Sequence, residues 1–301
     1  MDYKELKTKN ITDSLKKKTA PITEAQIKKE LMWCHRNFAF STYPYCNKNY
    51  TKKGFSKGVI EKTGTGNCIA LSYGLQKRLK QKYGVKSYLI PATVPIHIEK
   101  PGYLDISHVA LMIPGSQKWV FYIADPAFYF VKPIKVDLRK WKLPGTFQMS
   151  DIYSEDYDNV ETYFSEIGII TQDFILNKYQ TINAKTPFVR CFAKDGKSGD
   201  WNYFITEITN PDEAITSFFI KVWKDKPFIT KTKVVKGRVL CKKSFHQKAD
   251  GNIIIKENNR PIYFGLAKNL KAKVVKTLIK EFGKKEFKRF VINREECNHL
   301  V

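Results

Sequence analysis

The sequence predicts an α+β protein, and three observations carry that reading. Apolar residues recur at helical spacing as far as residue 84, the period then shortens to that of strands, and a strand meander with a closing helix ends the chain. Thr23 and Glu24 open a helix through about Phe38, with Ile27, Leu31 and Cys34 at helical spacing. Residues 39–57 hold Tyr43, Pro44, Tyr45 and Gly54 and read as an irregular connection. A strong helix is expected over Ile69–Tyr83. Leu71, Leu75 and Leu79 share one of its faces, and Gly84 supplies its stop.

From Val85 the pattern changes. Val85–Ile90, Ser107–Ile113 and Lys118–Ala124 are short, rich in β-branched and aromatic residues, and bounded by Pro and Gly. Pro114-Gly115-Ser116-Gln117 joins the last two as a hairpin. Further strands and loops fill 127–206. Asn210 then caps a helix with Pro211 at its first position, running to about Trp223. Four strands are expected at Phe228–Val235, Gly237–His246, Asn252–Glu257 and Pro261–Gly265. A final amphipathic helix over Leu270–Phe282 carries Val274, Leu278 and Phe282 at spacing four.

With 301 residues, 43% of them hydrophobic and 14% aromatic, the chain can bury a sizeable core in two or three subdomains. Its net charge of +24 attracts polyanions, yet the basic residues are mostly lysine and are spread along the chain, which does not favour a dedicated nucleic-acid groove. The six cysteines (Cys34, Cys46, Cys68, Cys191, Cys241, Cys297) form no CxxC pair, so neither a zinc site nor a disulfide scaffold is expected. Residues 1–22 read as a basic flexible lead-in without the apolar core of an export signal, and no apolar run is long enough to span a membrane. A cytoplasmic, reducing setting follows as the expectation, one that keeps a thiol usable.

Cys68 stands where the loop Gly64-Thr65-Gly66-Asn67 runs into a helix. Unpaired N–H groups at a helix start favour thiolate over thiol. His108 enters the strand Ser107-His108-Val109-Ala110-Leu111, and Asp125 leaves Tyr122-Ile123-Ala124-Asp125-Pro126. If these strands pair as a hairpin, both residues lie at one end of it, and the hairpin need only rest against the Cys68 helix to assemble nucleophile, base and orienting group. A buried structural cysteine, a core histidine and a strand-end aspartate are the alternative readings of each residue alone. His97 is the runner-up base, in a proline-flanked loop. Gly64-Thr65-Gly66 lacks the Gly-Lys-Ser/Thr of a Walker phosphate loop.

The loop ending in Cys68, the His108 strand and the Asp125 strand resemble the arylamine N-acetyltransferases, cousins of the transglutaminase-like and papain-like cysteine enzymes. Gly237-Arg238-Val239-Leu240, the polar meander, Leu278-Ile279-Lys280-Glu281-Phe282-Gly283 and the segment Asn177–Phe188 are similar to the family's later elements. Gly64 and Thr65 stand where the family has Arg and Gly, and Ala70 and Ser72 where many members have Glu and Asn. The resemblance implies an N-terminal helical bundle over 23–84, a central β-barrel over 85–190 and a C-terminal α/β lid over 191–301. It implies a catalytic triad of Cys68, His108 and Asp125 that moves an acetyl or other acyl group from a CoA thioester, with acetyl-CoA as the donor implied by the family, to a small amine, with no metal. Two other functions remain open on the residues: a transglutaminase-like thiol protease or isopeptidase, for which Asp125-Pro126 speaks, and an inactive, basic nucleic-acid-binding relative.

Overall fold

The computed structural model describes residues 8–11, 20–46, 54–95, 98, 107–139, 147–150, 160–165, 169–170, 184–185, 188–193, 199–212, 227–236, 238–248 and 250–266, with positions 269, 271, 272, 276 and 280. Its helices are α1 (Glu24–Asn37), α2 (Phe55–Thr63) and α3 (Cys68–Tyr83). The early strands are β1 (Thr8–Asn10), β2 (Ala39–Ser41), β3 (Thr65–Gly66), β4 (Tyr88–Ala92), β5 (His108–Pro114) and β6 (Val120–Ala124). Next come β7 (Ile134–Asp137), β8 (Phe147–Ser150), β9 (Val160–Ser165), β10 (Ile169–Ile170), β11 (Ala184–Lys185) and β12 (Phe188–Ala193). The last are β13 (Asp200–Phe204), β14 (Thr206–Ile208), β15 (Phe228–Val235), β16 (Arg238–Gln247), β17 (Asn252–Glu257) and β18 (Arg260–Leu266).

Local chemistry explains the helix ends. Thr23 caps α1 through a capping box: its hydroxyl accepts from the Gln26 N–H, and the Gln26 side chain accepts from the Thr23 N–H at 2.8 Å. Gly84 closes α3, its N–H reaching the Lys80 carbonyl at 3.0 Å. The two helices are locked together by Glu30, a fully buried carboxylate on α1 that accepts from Lys82 at 3.0 Å, Tyr83 at 2.9 Å and Arg78. The Arg78 guanidinium also lies over the Trp33 ring at 3.5 Å.

Eight antiparallel strands form the larger sheet in the order β7-β6-β5-β4-β13-β12-β9-β8. Its central strands are buried on both faces, and so they read as continuous apolar runs without alternation. Val109, Leu111 and Ile113 of β5 with Val120, Tyr122 and Ala124 of β6 pack against α1 and α3. The intervening Ala110, Met112, Phe121 and Ile123 face a second cluster with Phe130, Trp201 and Tyr203. The Ser72 hydroxyl of α3 donates to the Val109 carbonyl at 3.2 Å and ties helix to sheet one residue past His108.

The second sheet runs β18-β17-β16-β15-β2-β3, with β2 and β3 parallel. The meander falls where the sequence places it. Among the described residues β7 and β8 are the edges of the larger sheet, so the expected barrel is an open, half-barrel sheet. Residues 39–57 are not wholly irregular, since β2, a 3₁₀ turn at Tyr43–Cys46 and the start of α2 fall within them. β2 and β3 join the sheet of the meander, and β13, beyond residue 190, lies inside the larger one. Strand partners this distant in sequence are chosen by packing, which no local pattern records. The helices expected after Pro211 and over Leu270–Phe282 fall largely outside the described residues.

Candidate active site

The loop before Cys68 is fixed from both sides. Gly64 ends α2 in the left-handed conformation, with φ of 67°, and its carbonyl accepts from the Ala39 N–H at 3.0 Å. Gly66 packs directly on the helix that follows, where a Cβ would stand 2.3 Å from the Ala70 Cβ. Asn67 then caps α3: its side-chain oxygen accepts from the Ala70 N–H at 3.2 Å and its carbonyl accepts from the Leu71 N–H at 3.0 Å. Cys68 is therefore the first residue of a 16-residue helix, at its positive end.

A buried network holds Asn67 in turn. The Tyr45 hydroxyl donates to Asn67 Oδ1 at 2.6 Å and accepts from the Asn67 N–H at 3.3 Å, and it lies 3.0 Å from Ser56 Oγ. The Ser56 N–H donates to Asp212 Oδ1 at 3.1 Å, which brings the second half of the chain to the loop. Burial is the main reason that the Tyr45 phenol is raised far above its ordinary range.

The other two expected residues meet each other. His108 Nε2–H donates to Asp125 Oδ2 at 2.7 Å, with both residues almost wholly excluded from solvent. Asp125 Oδ2 also accepts from the Tyr203 hydroxyl at 2.8 Å, and Oδ1 accepts from the N–H groups of Ala127 at 3.1 Å and Phe128 at 3.0 Å. Four donors thus fix the carboxylate. Phe128 stacks on the imidazole, with ring centroids 4.0 Å apart and planes within 4°.

With Nε2 engaged, Nδ1 is the nitrogen left to serve the Cys68 thiol, which lies close enough to act on the ring's charge. Burial by itself would make the ring less basic. The Asp125 charge and hydrogen bond, with further help from Cys68, more than reverse that effect and push His108 up to about 10. The imidazole is thus held in its charged form beside the carboxylate at neutral pH. Such an arrangement can pass a proton to a leaving group on a sulfur-bound carbonyl.

The remaining histidines are placed differently. His35 Nε2–H donates to the Phe130 carbonyl at 2.7 Å, and burial lowers its pKa to about 4. His246 sits 2.9 Å from Ser244 Oγ and is lowered to about 4 by burial and by Lys256 and Lys242. His97, the runner-up base, and His299 lie outside the described residues. Burial pushes up the Cys34 and Cys191 thiols. Among the described residues no group of three His, Cys, Asp or Glu side chains could hold a metal ion. Among the described residues, no helix is long and apolar enough to cross a membrane.

Tyr203, Phe128 and Tyr45 were not legible as site residues. Tyr203 reaches Asp125 across 78 positions of sequence. Phe128 had one local signal, since an aspartate followed by a proline favours a turn whose N–H groups return to the carboxylate.

No protein-family model matches the chain, and no curated protein matches it. Solved structures do. The arylamine N-acetyltransferase of Mycobacterium abscessus superimposes with a TM-score of 0.52 at 13% identity, over 93% of this chain and 90% of that one. The M. tuberculosis enzyme gives 0.52 at 12% identity, over 90% and 94%. The Bacillus cereus enzyme, which has a Cys-His-Glu catalytic triad, gives 0.51 at 13% identity, over 87% and 92%. Across nearly its whole length, the chain has the fold of the arylamine N-acetyltransferases.

Proposed function

We propose that the chain is a cysteine-dependent acyltransferase that moves an acetyl or other acyl group from a CoA thioester to a small amine. One observation carries this reading: the buried His108 ring is held by the Asp125 carboxylate on a strand that packs against the helix headed by Cys68. The fold supports it, because the neighbours with that fold are N-acetyltransferases.

The Cys68 sulfur attacks the thioester carbonyl, and the N–H groups of Cys68 and Ile69 at the head of α3 are the donors assigned to the oxyanion. The carbon–sulfur bond to CoA breaks, and the departing thiolate takes its proton from the His108 imidazolium, leaving an acyl-Cys68 enzyme. An amine then attacks that acyl group while His108 accepts its proton. The amide leaves, and Cys68 and His108 return to their starting state. Asp125 orients the ring throughout, as the third member of such a triad does. No metal enters any step.

Intact-mass spectrometry after incubation with acetyl-CoA tests the proposal. One acetyl group is expected on the wild-type chain and none on Cys68→Ala. An adduct retained in Cys68→Ala overturns the assignment. Ammonia release from glutamine peptides without an acetyl adduct moves it to a transglutaminase-like activity.

A further inference from the structure

The cap at the head of α3 leaves one donor without an acceptor. Asn67 is fully buried, and a backbone group fixes which way its carboxamide faces. The Ala70 N–H donates to Oδ1 at 3.2 Å, so the amide nitrogen takes the other position. The Tyr45 hydroxyl donates to Oδ1 as well, at 2.6 Å. Asn67 Nδ2 itself is shut away from solvent and has no hydrogen-bond partner. A buried donor in this state is costly, and in a folded protein it calls for an explanation.

Its position says which acceptor it lacks. A carboxamide is planar, so Nδ2 sits beside Oδ1, over the first turn of α3 and one residue from the nucleophile. The backbone donors around it are already sorted. The Asn67 N–H donates to the Tyr45 hydroxyl at 3.3 Å, the Ala70 N–H to Asn67 Oδ1, and the Leu71 N–H to the Asn67 carbonyl at 3.0 Å. The cap thus engages neither the Cys68 nor the Ile69 N–H, the two assigned above to the oxyanion. Cys68 is among the groups whose charge acts on the Tyr45 phenol, which places this network within electrostatic reach of the sulfur. Ser87, Ser107 and Asn202 also hold a buried oxygen without a partner. None of them adjoins the nucleophile in sequence. A hydroxyl can turn to donate or accept, and a carboxamide oxygen accepts, whereas an amide nitrogen can only donate.

We propose that Asn67 Nδ2 is a third donor to the carbonyl oxygen of the acyl group transferred to Cys68, a role that rests on the acyl-transfer reading only through Cys68 as the nucleophile. When the sulfur adds to that carbonyl, a carbon–sulfur bond forms and the π electron pair of the carbonyl moves onto oxygen. The negative charge develops in a desolvated setting, where a fixed N–H dipole is worth more than in water. The pair returns to carbon as the leaving group departs. Stabilisation of this kind acts on the transition state of acyl transfer and on no reaction that leaves a carbonyl oxygen uncharged.

Two rates at Cys68 of the full chain, followed by mass spectrometry of its peptide, test this role. p-Nitrophenyl acetate acylates the thiol through an oxyanion. Iodoacetamide alkylates the same sulfur by displacing iodide, with no charge on a carbonyl oxygen. Asn67→Ser and Asn67→Asp both keep a capping oxygen and both lack the amide donor; the first is neutral and the second keeps the shape. In each, acylation is expected to slow about 100-fold, the loss typical of one oxyanion donor, while alkylation stays within about threefold of wild type. Equal slowing of both reactions would assign Asn67 to the helix cap or to ionisation of the thiol and overturn the proposal. Acylation within about threefold of wild type in either variant overturns it as well. A wild-type Cys68 that p-nitrophenyl acetate leaves unmodified overturns both this role and acyl transfer. Where the contrast between the two rates holds in a protein that acetyl-CoA does not label, the role of Asn67 is supported and the CoA donor is overturned.

Discussion

Replacing Asp125 by asparagine changes a proton inventory and almost nothing else. The Oδ1 position accepts from two backbone N–H groups, so the new amide oxygen must stay there and its NH₂ must take the Oδ2 position. Two donors already point at that position, His108 Nε2–H at 2.7 Å and the Tyr203 hydroxyl at 2.8 Å. Tyrosine can turn its hydroxyl to accept. The imidazole can comply only by giving up its Nε2 proton, which leaves its remaining proton on Nδ1, the nitrogen that the proposed mechanism assigns to the sulfur. In that tautomer it cannot take a proton from the thiol. A wrong tautomer of this kind costs about 10⁴-fold in rate, roughly 5 kcal/mol of barrier.

The same change alters stability against pH. In the wild type, His108 is raised from 6.5 to about 10 on folding, so its contribution is complete below about pH 6.5 and is lost as pH rises toward 10. At about 1.4 kcal/mol per unit, that loss amounts to roughly 5 kcal/mol. In Asp125→Asn the carboxylate charge is gone and burial governs the ring. His108 then falls below its ordinary value, and stability declines toward acid. Rapid-quench intact-mass kinetics with acetyl-CoA measures the first effect, and urea unfolding of both proteins at about pH 6 and about pH 10 measures the second. A rate within tenfold of wild type, or an unchanged pH slope, would refute the reasoning.

Two other substitutions probe the frame around the site. Gly66→Ala places a methyl group 2.3 Å from the Ala70 Cβ and 3.3 Å from the Tyr45 hydroxyl, an overpacking expected to cost about 1–3 kcal/mol. Adding Ala70→Gly should recover part of that loss in a double-mutant cycle followed by urea unfolding, and additive losses would contradict the contact. Glu30→Gln leaves Arg78 and Lys82 without their buried partner and is expected to cost about 3 kcal/mol at neutral pH. Burial alone would raise the Glu30 carboxyl, but Lys82, Tyr83 and Arg78 hold it below its ordinary range, so its contribution is present above about pH 4.5 and is lost on acidification. The variant should lack that acid-side loss. A wild-type slope in Glu30→Gln would show that another carboxylate carries it.

Particular residues show what could be read ahead of the coordinates. Thr23, Asn67 and Gly84 act within a few residues of themselves, and the helix ends that they set were legible or nearly so. The hairpin of β5 and β6 needed only its Pro-Gly turn and two apolar runs. Asp125 admitted two readings, a strand-end turn former and a partner for histidine. The structure gives it both, one oxygen to the turn and the other to His108. Residues 39–57 were misread because their strand forms against β15, 186 positions away, through contacts such as Phe228 with Thr42.

The sequence by itself determined the alternation of helical and strand periods, the placement of a thiol at a helix start, and the ordering of a histidine strand before an aspartate strand. These follow from contacts spanning a few residues, which a linear pattern can carry. Tertiary structure alone decided that Tyr203 reaches the Asp125 carboxylate, that Phe128 stacks on the ring, and that Tyr45, Ser56 and Asp212 brace the loop before Cys68. Each of these depends on which distant strands pair and in what register, and that choice is made by burial of the whole core at once.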